Sequence, residues 1–339
     1  MFIFQKKYFV ALASIFLICC MFLFYIVFLY KDKKVDLLCL PLLPVEKNEE
    51  ETESYFAYDI SELYDGNPWK EEWNIETLPV FYNTELKNRT QKDKEAKSRI
   101  QYKREFLEQV AKKFGVTKKD SIIYDTWNIF LESKAYSFQM NLYQDVLCIK
   151  LKEPITLPFS YEPERKEQAE KAISYFMDTY KDYFDWKEAE KALSCWYDVY
   201  GKKYFSLYAY ENGDTLEEKL LQYHFNRAYF KMGEKNELKA IFFRKTDLSE
   251  KIGEYPIITT EQAKQLLYSQ KYSSVSGNTF LQNMTLVKTE LVYKDSIYDS
   301  IFMPCYKFFV QLPEEKENGL RHYDVYYIPA IQEQYLKFD

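Results

Sequence analysis

With 339 residues, 47% hydrophobic and 29% charged, the chain has a globular composition, which excludes a disordered or collagen-like protein. Eight glycines and two histidines leave little material for glycine-rich phosphate loops or histidine-based metal sites. A net charge of −6 and a pI near 5.4 argue against binding to a phosphate backbone as the main task, so no nucleic-acid partner is expected.

The stretch from Tyr8 to Tyr30 carries no formal charge, and only Ser14 in it falls outside the hydrophobic set. A helix of that length reaches about 34 Å, enough to cross a hydrocarbon core of about 30 Å. A cleaved secretory signal has a shorter apolar core and a small-residue cleavage site, and neither is present. An uncleaved signal anchor in the lipid bilayer is therefore expected over residues 1–30. Cys19 and Cys20 suggest lipid attachment, but Ile18 precedes them and more apolar residues follow. They read better as buried apolar residues. Lys6 and Lys7 before the stretch are outnumbered by Lys31, Lys33 and Lys34 after it. Long domains translocate largely regardless of this bias, so a cytoplasmic N-terminus and an extracytoplasmic C-terminal domain are expected.

Residues 31–54 read as an acidic stalk. Pro41 and Pro44 interrupt the short apolar run Leu37–Leu43, which is suited to resting at the interface or on a neighbouring protein. Glu46, Glu49, Glu50, Glu51 and Glu53 follow as a self-repelling linker. A first unit is expected over 55–157, with a helix from Asp93 to Phe114 carrying Ile100, Leu107, Val110, Ala111 and Phe114 on one stripe. A hairpin follows, Ala135–Leu142 and Val146–Leu151, around Tyr143-Gln144-Asp145. A second unit, 158–250, opens with a helix after Pro163 whose apolar residues run from Ala169 to Phe184 at three- and four-residue steps. Strands are expected at Tyr204–Tyr210, Tyr223–Lys231 and Leu238–Arg244. A third unit, 251–339, starts where Thr259 and Gln262 form a capping box, with Ala263, Leu266 and Leu267 on the buried face. Strands around Val287–Tyr293, Tyr306–Val310 and Tyr323–Tyr327 complete it. The fold class expected is α+β: an N-terminal transmembrane helix followed by repeated helix-plus-antiparallel-sheet units.

Three stretches carry a family resemblance: Tyr255-Pro-Ile-Ile-Thr-Thr-Glu-Gln-Ala263, Met303-Pro-Cys-Tyr-Lys-Phe308 and Tyr323-Asp-Val-Tyr-Tyr-Ile-Pro-Ala330. Here the chain resembles the extracytoplasmic C-terminal part of YycH/YycI-type membrane regulators of low-GC Gram-positive bacteria, and the wider PepSY-like group. The resemblance covers about residues 250–335. It implies a non-catalytic protein that modulates a membrane sensor kinase through helix and domain contacts, and it carries over no catalytic residue.

The sequence holds no phosphate-loop, dinucleotide-binding or nucleophile-elbow motif. His224, within Tyr223-His-Phe225, reads as an ordinary strand histidine, and His322 as an exposed one. Asp182, Asp185, Glu188 and Glu190 are carboxylates of the kind that pair in glycoside hydrolysis, though the polar end of a helix explains them better. Trp69, Trp73 and Trp127 suit sugar stacking, though core packing explains them better. Asn88 and Asn283 head glycosylation patterns that mean nothing in a bacterium. Cys39, Cys148, Cys195 and Cys305 are scattered, without metal-ligand spacing. No catalytic, cofactor or metal residues are expected. The function expected is binding and modulation of another envelope protein, such as a sensor kinase. The alternatives are a wall glycan or peptide binding module and, behind it, a carboxylate-based envelope hydrolase.

Overall fold

A computed structural model describes residues 37–41, 55–63, 66–86, 94–116, 122–125, 127–198, 200–233, 236–274, 278–281, 284–296, 299–315 and 318–337. The chain divides into two compact units, Met1–Leu38 and Cys39–Asp339. Of the first, only residues 37–38 are described; the second holds every element below.

In chain order the strands are β1 Leu40–Pro41, β2 Tyr55–Ala57, β3 Thr77–Tyr82, β4 Ile122–Tyr124, β5 Asn128–Glu132, β6 Tyr136–Asn141, β7 Val146–Thr156, β8 Ala189–Tyr197, β9 Lys203–Glu211, β10 Asn226–Met232, β11 Glu237–Lys245, β12 Lys251–Pro256, β13 Ser273–Ser274, β14 Thr285–Tyr293, β15 Ile301–Phe302, β16 Pro304–Glu315, β17 Arg321–Pro329 and β18 Leu336–Lys337. The helices are α1 Lys94–Lys113, α2 Lys166–Tyr180, α3 Leu216–Phe225 and α4 Thr260–Tyr268.

The largest sheet has eight antiparallel strands in the order β4-β5-β6-β7-β11-β10-β9-β8. Alternation along its strands decides which face is covered. Phe205, Leu207 and Ala209 of β9, with Ala228 and Phe230 of β10, turn toward the helices and are buried. From α2 they meet Ala169, Ala172, Ile173 and Phe176, and the Phe176 ring stacks on Phe230 at 5.2 Å. Leu107, Val110 and Ala111 of α1, with Phe114 just after it, join this core. Phe114 sits against Tyr136, Phe138 and Tyr183, with centroids 5.2, 5.7 and 4.5 Å away.

The second core lies on the C-terminal sheet, β13-β17-β16-β14, with β2 also paired to β17. A three-stranded sheet, β12-β3-β15, adds Leu78, Phe81 and Phe302 to it. Thr259 caps α4 as the spacing indicates: its side chain accepts from the Gln262 amide, and Gln262 returns the bond. The three stretches that resemble the regulators meet here. Ile258 N–H donates to the Ala330 carbonyl at 2.7 Å, and Ala330 N–H to that of Pro304 at 2.9 Å. The Tyr306 hydroxyl donates to the Ile258 carbonyl at 2.9 Å. β1 and β18 form a small parallel pair.

One expectation is overturned. The described residues form a sheet-rich protein with several sheets, not repeated helix-plus-sheet units behind a membrane-crossing helix among them. No helix among the described residues is long and apolar enough to cross a membrane; Tyr8–Tyr30 lies outside them. The repeats also dissolve. Strands from the expected first and second units share the eight-stranded sheet, and β3 lies between two strands of the expected third. Locally, the strand expected from Tyr223 begins at Asn226, because Thr215 and Glu218 cap a helix, α3, that runs to Phe225. Gly66 (φ +79°) holds its loop on β8: a Cβ there would lie 2.4 Å from that of Ala192.

Candidate functional site

A cavity of about 230 Å³ opens at the seam between the eight-stranded sheet and the C-terminal sheet. The first sheet supplies Tyr208 from β9 and Arg227 from β10. The last turn of α3 supplies Tyr223 and His224. The C-terminal sheet adds Lys307 from β16, and the chain after β14 adds Lys294 and Asp295. Among the described lining residues, three permanent cations and a histidine face one carboxylate.

Arg227 and Lys307 are held in aromatic settings. Arg227 lies over Tyr208 and Tyr223, its guanidinium carbon 5.1 and 5.4 Å from their ring centroids. Lys307 is buried, donates to the Tyr55 hydroxyl at 2.9 Å, and sits 5.0 Å from the Phe309 ring centroid. Lys294 is buried 3.7 Å from Asp299. Tyr293 donates to the Pro79 carbonyl at 2.9 Å, and burial pushes its hydroxyl well above the usual range.

Asp295 closes the seam by pairing with Arg244 of β11. Burial pushes its carboxyl upward, but Arg244, with Arg227 and His224 behind it, outweighs that and holds it below the usual carboxylate range. On the far side of this pair is a second cavity, about 200 Å³, lined by Glu85, Asp145 and Asp295 against the single cation Arg244 among its described residues. Behind it Lys103 of α1 is fully buried, 3.1 Å from Glu85 and 3.3 Å from Asp145, and donates to the carbonyls of Gln144 (3.0 Å) and Asn141 (3.3 Å). Burial raises the Glu85 carboxyl, and Lys103 opposes the rise.

The residues singled out from sequence scatter. His224 enters the seam cavity from a helix, not a strand. His322 is half-buried, stacked on Phe56 with centroids 4.7 Å apart. Asp182, Asp185, Glu188 and Glu190 are all exposed, and Asp185 pairs with Lys113. Trp69 and Trp73 share a groove of about 680 Å³, where the Trp69 ring meets Tyr306 edge-on. Trp127 is elsewhere, 60% exposed beside Tyr143. Asn88 and Asn283 lie outside the described residues. Cys39, Cys148, Cys195 and Cys305 are free thiols. Arg227, Lys294 and Lys307 come from three separate elements, and no local motif announces them.

Preformed cations beside tyrosine hydroxyls make charge-assisted hydrogen bonds to a carboxylate or a phosphate. The arrangement is one for holding an anionic group. Compared with known proteins, the chain matches no protein-family model and no curated protein.

Proposed function

We propose that the protein is a binding protein of the cell envelope, not an enzyme, and that its folded part recognises an anionic group in the seam cavity. The observation that carries this is the convergence of Arg227, Lys307 and the Asp299-paired Lys294, with His224, on a cavity whose described lining residues include one carboxylate, Asp295. The uncharged stretch Tyr8–Tyr30 supports a location at the membrane, with the folded part outside the cytoplasm. The resemblance of residues 250–335 to YycH/YycI-type regulators supports the output: binding modulates another envelope protein, such as a sensor kinase.

Glucuronate and phosphate titrated against the full chain in detergent test the recognition step. Binding that Arg227→Ala and Lys307→Ala each weaken, with unfolding still cooperative, supports the reading. Loss of neither ligand in either variant removes it. In-cell crosslinking of the full chain tests the output, and a protein partner captured by the full chain but not by residues 1–34 alone supports it.

A further inference from the structure

The seam cavity is one end of a longer surface. The helices cover one face of the eight-stranded sheet, and alternation sends Trp196, Tyr204, Ser206, Tyr208, Arg227, Tyr229 and Lys231 to the other. That outer face carries a ladder of rings across four strands. Trp196 stacks on its register partner Tyr204 with centroids 4.6 Å apart. Tyr229 is flanked by its partners Tyr208 and Phe242 at 5.1 and 5.9 Å. Trp196 is 42% exposed, and its indole N–H donates to Ser206 at 3.2 Å, which fixes the ring.

The far end of the ladder is a cavity of about 560 Å³ where Trp196, Tyr204 and Tyr229 meet Lys231, Lys239 and Lys202, the last paired with Glu164 at 3.3 Å; no carboxylate is among its described lining residues. The near end is the seam cavity with Arg227 and Lys307. Tyr204 and Tyr208 are four positions apart along β9, and Arg227 and Lys231 four positions apart along β10. Each span is about 13 Å at 3.3 Å per residue.

We infer that this outer face, from Trp196 to the seam cavity, binds an acidic glycan chain, with sugar rings on the aromatic ladder and carboxylates at the lysines of one end and at Arg227 and Lys307 of the other. The inference rests on the anion reading of the seam cavity and extends it to a ligand class. Sugars present apolar C–H faces to aromatic rings and hydroxyls to Ser206 and the tyrosines. A peptide would need backbone partners, and those of the inner strands β9 and β10 are used in the ladder, which leaves it only the outer edge of β8 on this face. A nucleic acid carries one charge per nucleotide, which an acidic protein of net charge −6 repels. A glycan with a uronate at every second sugar carries fewer charges per unit length and keeps them apart, as the two basic ends are apart.

The test compares galacturonate with a hexamer in which galacturonate alternates with rhamnose, on the full chain in detergent. Maltohexaose and a twelve-nucleotide oligo-dT serve as competitors. The hexamer should bind roughly ten-fold more tightly than the monomer, a gain of about 1.4 kcal/mol. Trp196→Ala should remove that gain, and Trp196→Phe should restore it. Arg227→Ala should weaken both ligands. A hexamer no tighter than the monomer, or a gain that survives Trp196→Ala, overturns the extended surface and leaves the anion site standing. Maltohexaose or oligo-dT binding as tightly as the hexamer overturns the ligand class. No binding of either galacturonate ligand overturns both the surface and the reading beneath it.

Discussion

Arg244 and Asp295, 51 residues apart in sequence, form an ion pair that separates two cavities of opposite charge. On one side Arg227, Lys294 and Lys307 gather; on the other, Glu85 and Asp145. The separation lets the seam present positive charge locally although the chain as a whole is acidic. Local placement as well as net charge decides what an individual cavity binds.

That pair makes the protein acid-sensitive. The folded Asp295 carboxyl lies below its ordinary value of 3.8. Its contribution is therefore fully present above that value and is lost as pH falls through the lower folded one. Asp295→Asn should lower stability at pH 7. In urea unfolding between pH 7 and pH 3, the gap between variant and parent should narrow below about pH 4. A gap that stays constant across that range would contradict the assignment.

Lys103 pairs with two carboxylates in the interior, and removing it leaves Glu85 with Arg99 at 3.5 Å and takes from Asp145 its ion pair at 3.3 Å. Lys103→Met should cost about 3–5 kcal/mol. The folded Glu85 carboxyl is already raised, so its protonation favours the folded state, fully below its ordinary value of 4.5 and no longer above the folded one. The Lys103→Met variant should accordingly regain stability as the pH falls toward 4.5, and adding Glu85→Gln should recover part of the loss at pH 7. Chemical denaturation of the three proteins checks both statements.

The helix that brings His224 to the seam depends on its cap. Glu218 N–H donates to Thr215 at 3.1 Å, and Thr215 N–H donates back to the Glu218 carboxylate at 3.1 Å. Thr215→Ala should cost about 1 kcal/mol and speed amide exchange in the first turn of α3, while Thr215→Ser should not.

The four described thiols should differ in reactivity. Cys39 is exposed, whereas Cys148, Cys195 and Cys305 are buried. Burial raises all three buried thiols, Cys195 to about 11 and Cys305 to about 12. A thiol reagent at pH 7.5 should label Cys39 and spare these three until denaturant is added. Peptide mapping by mass spectrometry reads the outcome, and early labelling of Cys305 would refute the packing around β16.

Local elements were legible where one physical signal dominated. The apolar steps from Ala169 to Tyr180 mark α2, and Thr259 with Gln262 marks the start of α4. The same capping signal, Thr215 with Glu218, marks α3, but the aromatic run Tyr223–Phe225 reads as a strand and hides it. Sheet order was not legible, because β3 finds its partners at Lys251–Pro256 and Ile301–Phe302, far beyond any local pattern. The seam follows from that order. Arg227, Lys294 and Lys307 look like ordinary surface charges until the sheets bring them together, and the tyrosine excess reads as packing until alternation places part of it on an open face.

The position of β3 between β12 and β15 also sets a schedule. Thr77–Tyr82 is apolar, with Leu78 and Val80 fully buried in the finished fold. Both flanking strands are made much later, the second only at Ile301. At a synthesis rate of roughly 5–20 residues per second, β3 waits on the order of 10–40 s with two bare edges. During that interval it is a sticky strand without a sheet, open to any neighbour with an edge to offer. The finished protein bears no trace of that exposure, but the yield of the chain depends on how it is spent.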